Sequence, residues 1–286
     1  MRTKAAAKSQ TTEDRIFGIL GMTLRAIDTF STQLSSRFLY WLWGHPIRHK
    51  PSAREMLFKK EAEVGRFESN GVTYNFYSAG KGPAVLAVHG WDGRGTQMLS
   101  FFQPLVDAGF KIVTFDAHGH GESPGRQANG VVISDMIVEL SNKVGGFDAI
   151  IAHSIGGSFA LVALERISTK KVVLIAPPQS MESSFQKIKK RLGVPDGPEK
   201  LFRERFERNF KNSWNRFSID QLVTKIPGVK GLIIQDEDDD FVDPSEAQAI
   251  HERWDGAEIF ITKGHGHRKI LRAPEVVKKA VSFIAS

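Results

Sequence analysis

Apolar residues in the first part of the chain recur at intervals of three and four, and Ser31 is the one interruption. This spacing places the apolar side chains on one face of a helix. We therefore predict an amphipathic helix from about Asp14 to Trp43. The prolines at positions 46 and 51 predict that the helix ends there and that a linker follows.

The pattern changes from Val64 onward to an alternation of apolar and polar residues. Two such segments, 64–69 and 72–77, flank the pair Asn70-Gly71. Both residues of the pair tolerate a positive φ, which a tight hairpin turn requires. The pattern therefore predicts two antiparallel strands.

Six short apolar runs follow, separated by segments long enough for a helix. They are Ala84–His89, Phe110–Asp116, Phe147–Ala152, Lys171–Ala176, Gly231–Gln235 and Ala257–Thr262. Continuous apolar character indicates strands that are covered on both faces, and helical spacers are typical of crossovers between parallel strands. We predict an α/β fold with a mostly parallel central sheet and helices on both faces.

The spacing between runs lengthens at about residues 178–226, which are basic and helical in character. This segment is too long for a simple crossover, and it predicts a short helical cap inserted into the α/β domain. The predicted organisation is thus an N-terminal helical extension and linker at 1–55, and one domain at 56–286 that carries the insertion.

The charge of the chain is +7, but it is unevenly placed. Residues 1–54 hold nine lysines and arginines against three acids, and residues 182–211 hold nine against five. The remainder is not basic, so we expect two basic attachments and no nucleic-acid partner. The chain has no cysteine, which excludes disulfides, thiolate zinc sites and iron–sulfur clusters.

No segment reaches the roughly 20 uninterrupted apolar residues of a membrane span. Acidic residues follow the basic start, which argues against a cleaved signal peptide. We expect a cytoplasmic protein. The apolar face of the N-terminal helix predicts packing on the protein's own body, and its alternatives are self-association or peripheral contact with the inner membrane.

The carboxyl ends of parallel strands are where ligands bind in open α/β sheets. The sequence AHSIGG places Ser154 between a strand and the next apolar segment, with glycines at 156 and 157. A serine on such a strained turn exposes its hydroxyl above the sheet. Ala152 stands where the usual G-x-S-x-G signature has its first glycine, and it adds only one methyl group.

Three other strand ends carry candidate groups. HGW at 89–91 predicts a loop whose Trp91 N–H, with that of Ile155, binds an oxyanion, while His89 is structural. The acidic run 235–244 offers a carboxylate that orients a histidine. The segment 263–268 offers two histidines on a glycine-rich loop. Neither segment has a convincing metal-ligand set, so we predict no metal.

These segments together resemble the α/β-hydrolase superfamily, in its serine esterase-like, short-cap bacterial form. The resemblance rests on five ordered segments, which are HGW, TFDAHGHGES at 114–123, AHSIGG, LIIQDEDD at 232–239 and GHGHRKIL at 264–271. It covers about residues 64–286 and implies the α/β-hydrolase fold. It further implies Ser154 as nucleophile, Asp239 as acid with Asp238 and Asp240 as alternatives, and His267 rather than His265 as base.

The implied activity is hydrolysis of a carboxylic ester or thioester through an acyl-enzyme, without a cofactor. An acyltransferase on the same three residues, or a non-catalytic binding or membrane-associated protein, are the alternatives. Trp91, Trp214 and Phe241 are candidates for lining an apolar substrate pocket, although aromatic residues in such loops more often serve packing.

Overall fold

The computed structural model of the chain describes the backbone of residues 2–210 and 214–286, and the side chains of residues 15–209 and 215–286. Its contacts divide the chain into two compact units. One comprises Met1–Gly44 and Glu182–Trp214, and the other comprises His45–Met181 and Asn215–Ser286. The sequence did not predict that the N-terminal segment and the insertion pack together. The domain limits drawn from the sequence stay predictions.

The described residues form strands and α-helices in the following order along the chain. The strands are β1 (Glu63–Ser69), β2 (Val72–Ala79), β3 (Ala84–Val88), β4 (Lys111–Phe115), β5 (Ala149–His153), β6 (Lys171–Ile175), β7 (Lys230–Asp236) and β8 (Glu258–Thr262). The helices are α1 (Arg2–Phe30), α2 (Thr32–Gly44), α3 (Ala53–Glu61), α4 (Phe102–Asp107), α5 (Gly130–Val144), α6 (Gly156–Ala163), α7 (Met181–Leu192), α8 (Asp196–Phe210), α9 (Ile219–Leu222), α10 (Pro244–His251), α11 (Gly266–Lys269) and α12 (Pro274–Ala285).

The larger unit holds one sheet with strand order β1-β2-β4-β3-β5-β6-β7-β8. β2 pairs antiparallel with β1 and β4, and every other pair is parallel. Each of the eight strands predicted from the sequence is present, with its ends within two residues of the predicted ones. The predicted hairpin is also present, since Asn70 and Gly71 have φ of 50° and 73° and Ser69 is in register with Val72.

The central strands are covered on both faces, which explains their continuous apolar sequences. In β3, Val85 and Ala87 join a core cluster with side chains of α4 and α12, while the alternate residue Leu86 is equally buried but lies outside that cluster. Successive side chains of a strand point to opposite faces. The other face is covered by α5, α6 and α10, as their contacts with the strands show. The predicted fold class is confirmed.

The predicted single helix from Asp14 to Trp43 is wrong in its extent and its continuity. It begins at Arg2 and is broken at Ser31. The Ser31 hydroxyl accepts a hydrogen bond from the N–H of Leu34 at 3.3 Å, which caps the second helix. The Ser35 hydroxyl donates to the Leu24 carbonyl at 3.0 Å, whereas residues 11 apart in one helix would be separated by about 16 Å. The chain therefore reverses direction at Ser31.

The smaller unit is built from α1, α2, α7 and α8. Its centre is aromatic, with Phe185 stacked on Phe202 at 5.0 Å between ring centroids and Trp43 edge-on to both rings. The guanidinium of Arg25 donates to the Leu192 carbonyl at 2.9 Å, which satisfies an unpaired acceptor at the end of α7. Within the described part of the chain, no helix is both long and apolar enough to cross a membrane.

Candidate functional site

Ser154 lies at the junction between β5 and α6 in a strained backbone conformation. Its φ is 53°, a region that residues with a side chain seldom occupy. Its N–H donates to the Ile175 carbonyl at 2.9 Å, and its carbonyl accepts from the Gly157 N–H at 3.0 Å. Such strain persists only where the surroundings impose it, and it is found most often at functional sites. The sharp turn predicted for Ser154 is therefore present.

Small residues around this turn are needed because the neighbouring backbone is close. A Cβ on Gly156 would lie 2.4 Å from the His89 carbonyl oxygen, and one on Gly90 would lie 2.9 Å from the Cβ of Ser154. Ala152, which departs from the usual signature, is fully buried in the sheet between Val88 and Leu174. Its methyl group is accommodated without displacing the turn.

The structure brings Ser154, His267 and Asp239 together in one chain of hydrogen bonds. The Nε2 of His267 lies 3.1 Å from the Oγ of Ser154, and its Nδ1 lies 2.9 Å from an Oδ of Asp239. With the proton on Nδ1, His267 donates to the carboxylate and accepts from the serine hydroxyl. This is the arrangement that activates a serine as a nucleophile.

The Asp239 carboxylate is held by several donors besides His267. Its second oxygen accepts from the N–H groups of Phe241 and Val242, each at 2.8 Å, and the Gln235 amide donates to the first oxygen at 3.2 Å. Burial by itself would raise the pKa of the Asp239 carboxyl. The hydrogen bond and charge of His267 and the two N–H donors outweigh burial, so the pKa is lowered.

The alternatives left open by the sequence lie elsewhere. Asp238 and Asp240 are exposed, whereas Asp239 is buried. The Nε2 of His265 lies 2.6 Å from the Glu275 carboxylate on α12. The geometry thus distinguishes Asp239 from the two neighbouring aspartates and His267 from His265. In the sequence, these candidates differ little.

Asp236 organises the loop that carries His267, a role that the sequence analysis missed. This fully buried carboxylate accepts from the N–H groups of His265 and Gly266 at 3.1 and 2.9 Å and from the Thr262 hydroxyl at 2.8 Å. It ties the end of β7 to the turn after β8. One feature of the sequence indicated this role, which is that Asp236 stands in the acidic run at a position where the α/β-hydrolase superfamily has a glycine.

His153 is a second residue whose role the sequence analysis missed. Its Nε2 lies 2.9 Å from the backbone carbonyl of His267, and the two rings are 4.9 Å apart. Burial, with the neighbouring His267 next in importance, lowers the pKa of His153 to about 3. The ring is therefore neutral, with Nε2–H as the donor. Its place inside AHSIGG gave no indication of this contact.

The loop after β3 is held by His89, in the structural role predicted for it. Its Nδ1–H donates to the Gly90 carbonyl at 2.7 Å, and its Nε2 accepts from the Ala117 N–H at 3.0 Å. Burial lowers the pKa of His89 to about 4, so the ring is neutral. Among the described residues, no protein acceptor takes the N–H of Trp91 or of Ile155. The oxyanion-binding role of these two groups stays a prediction.

The structure places two of the three aromatic residues that were predicted to line a pocket. The ring of Phe241 lies 5.0 Å from that of His267, so it adjoins the site. The ring of Trp91 is edge-on to His120 at 5.1 Å. The side chain of Trp214 lies outside the described residues. Substrate contact stays a prediction for all three.

The acidic run beside the site also raised the question of a metal. Over the residues whose side chains are described, no three histidine, aspartate or glutamate side chains are grouped so that they could hold a metal ion.

Comparison with solved structures places this architecture among known ones. An esterase from Exiguobacterium antarcticum superposes with a TM-score of 0.58, with 18% identity, over 78% of this chain and 100% of that one. A bromoperoxidase from Bacillus anthracis superposes with a TM-score of 0.60, with 15% identity, over 78% of this chain and 99% of that one. These likenesses show the fold.

Sequence comparison identifies the family. A protein named "Non-heme chloroperoxidase CPO-A1" from Kitasatospora aureofaciens is 28% identical over 136 residues, which are 44% of this chain and 48% of that protein. The chain thus matches about half the length of this relative. The sequence profile described as "Alpha/beta hydrolase family" matches residues 85–280, from β3 into α12. The chain belongs to the alpha/beta hydrolase family.

Proposed function

We propose that the protein is a serine hydrolase that cleaves a carboxylic ester or thioester through an acyl-enzyme on Ser154. The observation that carries this proposal is the unbroken hydrogen-bond chain from the Ser154 hydroxyl through His267 to Asp239, at 3.1 and 2.9 Å. Both distances are within the range in which a proton is transferred or held. The strained φ of Ser154 is a second, independent support.

The first half of the reaction is acylation. The Nε2 of His267 accepts the hydroxyl proton while the Oγ of Ser154 attacks the carbonyl carbon of the substrate. The imidazolium that forms is stabilised by the Asp239 carboxylate, which stays ionised because its pKa is lowered. Asp239 also holds the ring in the tautomer with its proton on Nδ1, so that Nε2 is free to act as the base.

The developing oxyanion needs donors that are in place before the reaction. The backbone N–H groups of Trp91 and Ile155 are assigned this role, and within the described residues they donate to no acceptor. Ile155 follows Ser154 in the chain, and Trp91 follows Gly90, on which an added Cβ would lie 2.9 Å from the Cβ of Ser154. Loss of one such donor typically lowers kcat about 10²- to 10³-fold. The rigid loop around His89 therefore contributes to catalysis through the position of the Trp91 N–H.

The intermediate then collapses, and the leaving alcohol or thiol departs with the proton from His267. Water attacks the acyl-enzyme in the second half of the reaction, with His267 again taking the proton. The bond from the acyl carbon to the Oγ of Ser154 then breaks, His267 returns the proton to that oxygen, and the carboxylic acid leaves. Phe241, whose ring is 5.0 Å from His267, is the apolar neighbour of the reacting atoms. An acyl group with an apolar chain fits this surrounding.

The proposal is tested by hydrolysis of p-nitrophenyl esters and acyl thioesters of graded chain length. The wild type is expected to hydrolyse part of the panel, and Ser154→Ala to lose at least about 10³-fold in kcat. Activity of Ser154→Ala equal to the wild type would reject Ser154 as nucleophile. A folded wild type that turns over no ester or thioester, with or without an added acceptor alcohol, would reject the catalytic proposal altogether.

A further inference from the structure

One face of α1 exposes large apolar side chains that the fold does not use. Ile16, Ile19, Met22 and Phe30 are between 46% and 90% exposed. At 100° per residue they lie within about a third of the helix circumference. The opposite face carries Leu24, which is fully buried, and Gly21, whose Cα lies against the Leu192 carbonyl of α7. One side of the helix is thus packed against the protein, and the other side exposes apolar side chains.

The helix that follows has a similar exposed stripe. In α2, Leu34 and Trp41 are about half exposed, and Phe38 lies on the same face with its ring stacked on that of Trp41 at 6.0 Å. The buried residues of this helix, such as Leu39, lie on the other side. A surface helix of a soluble protein normally presents polar residues on its exposed side. Contiguous exposed apolar residues mark a surface that binds something.

The charge of the smaller unit indicates what it binds. Residues 1–44 and 182–214 contain 15 lysines and arginines against 8 acids, a formal charge of +7. This equals the net charge of the whole chain, so the larger unit, which holds the candidate active site, is neutral. Basic charge beside an exposed apolar helix face is the combination that binds the surface of an anionic bilayer.

We propose that the exposed apolar faces of α1 and α2 form a docking surface for anionic lipid bilayers, with the helices lying in the interface. A second copy of the chain is a poorer occupant, because two units of +7 would repel each other across the contact. An anionic bilayer offers both an apolar phase for the stripe and opposite charge for the lysines and arginines. This inference is independent of the proposed hydrolase activity.

The test is flotation of the full-length protein with two kinds of vesicle, one of phosphatidylcholine alone and one of phosphatidylcholine mixed with phosphatidylglycerol. We expect binding to the anionic vesicles, weaker binding to the neutral ones, and release as salt is raised from about 0.05 to 0.5 M. The triple variant Ile19→Ser, Met22→Ser, Phe30→Ser should bind the anionic vesicles at least about tenfold more weakly, since it removes three apolar side chains from the interface.

The chain offers a matched control in the larger unit. Met56, Leu57 and Val64 are between 50% and 59% exposed, so the triple variant Met56→Ser, Leu57→Ser, Val64→Ser changes a comparable apolar area without touching α1 or α2. It should bind as the wild type does. Thermal unfolding and activity on a soluble ester confirm that both variants are folded.

Three results would overturn the proposal. They are absence of wild-type binding to anionic vesicles, equal binding by the α1 variant and the wild type, and equal loss of binding in the control variant. A wild-type dimer in analytical ultracentrifugation that the α1 variant dissociates, without vesicle binding, would assign the face to a second copy instead.

Discussion

The Nε2 of His153 donates a hydrogen bond to the backbone carbonyl of His267 at 2.9 Å. The residue before the proposed nucleophile thereby holds the main chain of the proposed base, across 114 positions of sequence. Both contacts of His267 with its partners depend on where its backbone lies. His153 is therefore a positioning residue rather than a group that touches substrate.

Replacement of His153 should separate positioning from binding. We expect His153→Ala to lower kcat by about tenfold with little change in KM, and to lower the free energy of unfolding by about 1–3 kcal/mol, because the His267 carbonyl loses its buried donor. His153→Gln, whose Nε2 can replace that donor, should recover part of both losses. Steady-state kinetics and chemical denaturation measure these effects. Equal kcat in His153→Ala and the wild type would contradict the positioning role.

Asp236 should make the stability of the protein depend on acid pH. Burial opposes ionisation of this carboxyl, but donors from Gly266, Thr262 and His265 lower its pKa. A lowered pKa contributes stability above the pKa of the unfolded carboxyl, about 3.9, and that stability is lost as the pH falls through the folded value. Asp236→Asn should be destabilised by about 1–3 kcal/mol at neutral pH, and the gap to the wild type should narrow below about pH 4.

The control for this experiment is Asp240→Asn, because Asp240 is exposed. It should leave the free energy of unfolding unchanged over the same pH range. If the gap between Asp236→Asn and the wild type stays constant down to acid pH, the ionised form of Asp236 is not what holds the loop.

The choice between adjacent aspartates is tested by one pair of variants. Asp239→Asn would present an amide donor to the Nδ1 of His267, which favours the tautomer with its proton on Nε2 and removes the base. We expect kcat to fall on the order of 10³- to 10⁴-fold. Asp238→Asn, at an exposed position that does not contact His267, should keep wild-type activity. A larger loss in Asp238→Asn than in Asp239→Asn would reverse the assignment.

The turn at Ser154 should tolerate a methyl group at Gly157 but not at Gly156. A Cβ on Gly156 would meet the His89 backbone oxygen at 2.4 Å, whereas one on Gly157 would meet the side-chain ends of Leu174 and Ile219 at 3.0 and 3.2 Å. Side-chain ends can shift and the backbone of a packed loop cannot. We expect Gly156→Ala to lower the unfolding free energy by more than about 2 kcal/mol, and Gly157→Ala by about 1 kcal/mol or less. Thermal or urea unfolding distinguishes them.

The strands were predictable because their sequence requirements are local. A strand such as Ala84–Val88 needs only apolar residues on both faces, and the pair Asn70-Gly71 needs only positive φ. The order of motifs along the chain then predicted which strand ends meet. The proximity of Ser154, Asp239 and His267 was predictable in this way, because the order of the motifs in the α/β-hydrolase superfamily supplied the information on tertiary contacts.

The contacts that depend on packing were not predictable. Ser31 looked like one polar residue in a long helix, and only the hydrogen bond from Ser35 to Leu24 shows that the chain turns back there. His153 and Asp236 gain their roles from backbone groups more than 25 positions away in sequence. No periodicity or motif in a single sequence encodes such a partner.

The role of Ser154 as nucleophile is tested most directly by the reaction of the protein with a fluorophosphonate, followed by intact-mass measurement. The reagent is attacked by an activated serine and leaves a stable phosphonyl ester. We expect one adduct for each wild-type chain, mapped by peptide analysis to Ser154, a much slower reaction in His267→Ala, and no adduct in Ser154→Ala. An adduct that forms on Ser154→Ala at the wild-type rate would contradict the assignment of Ser154 as nucleophile.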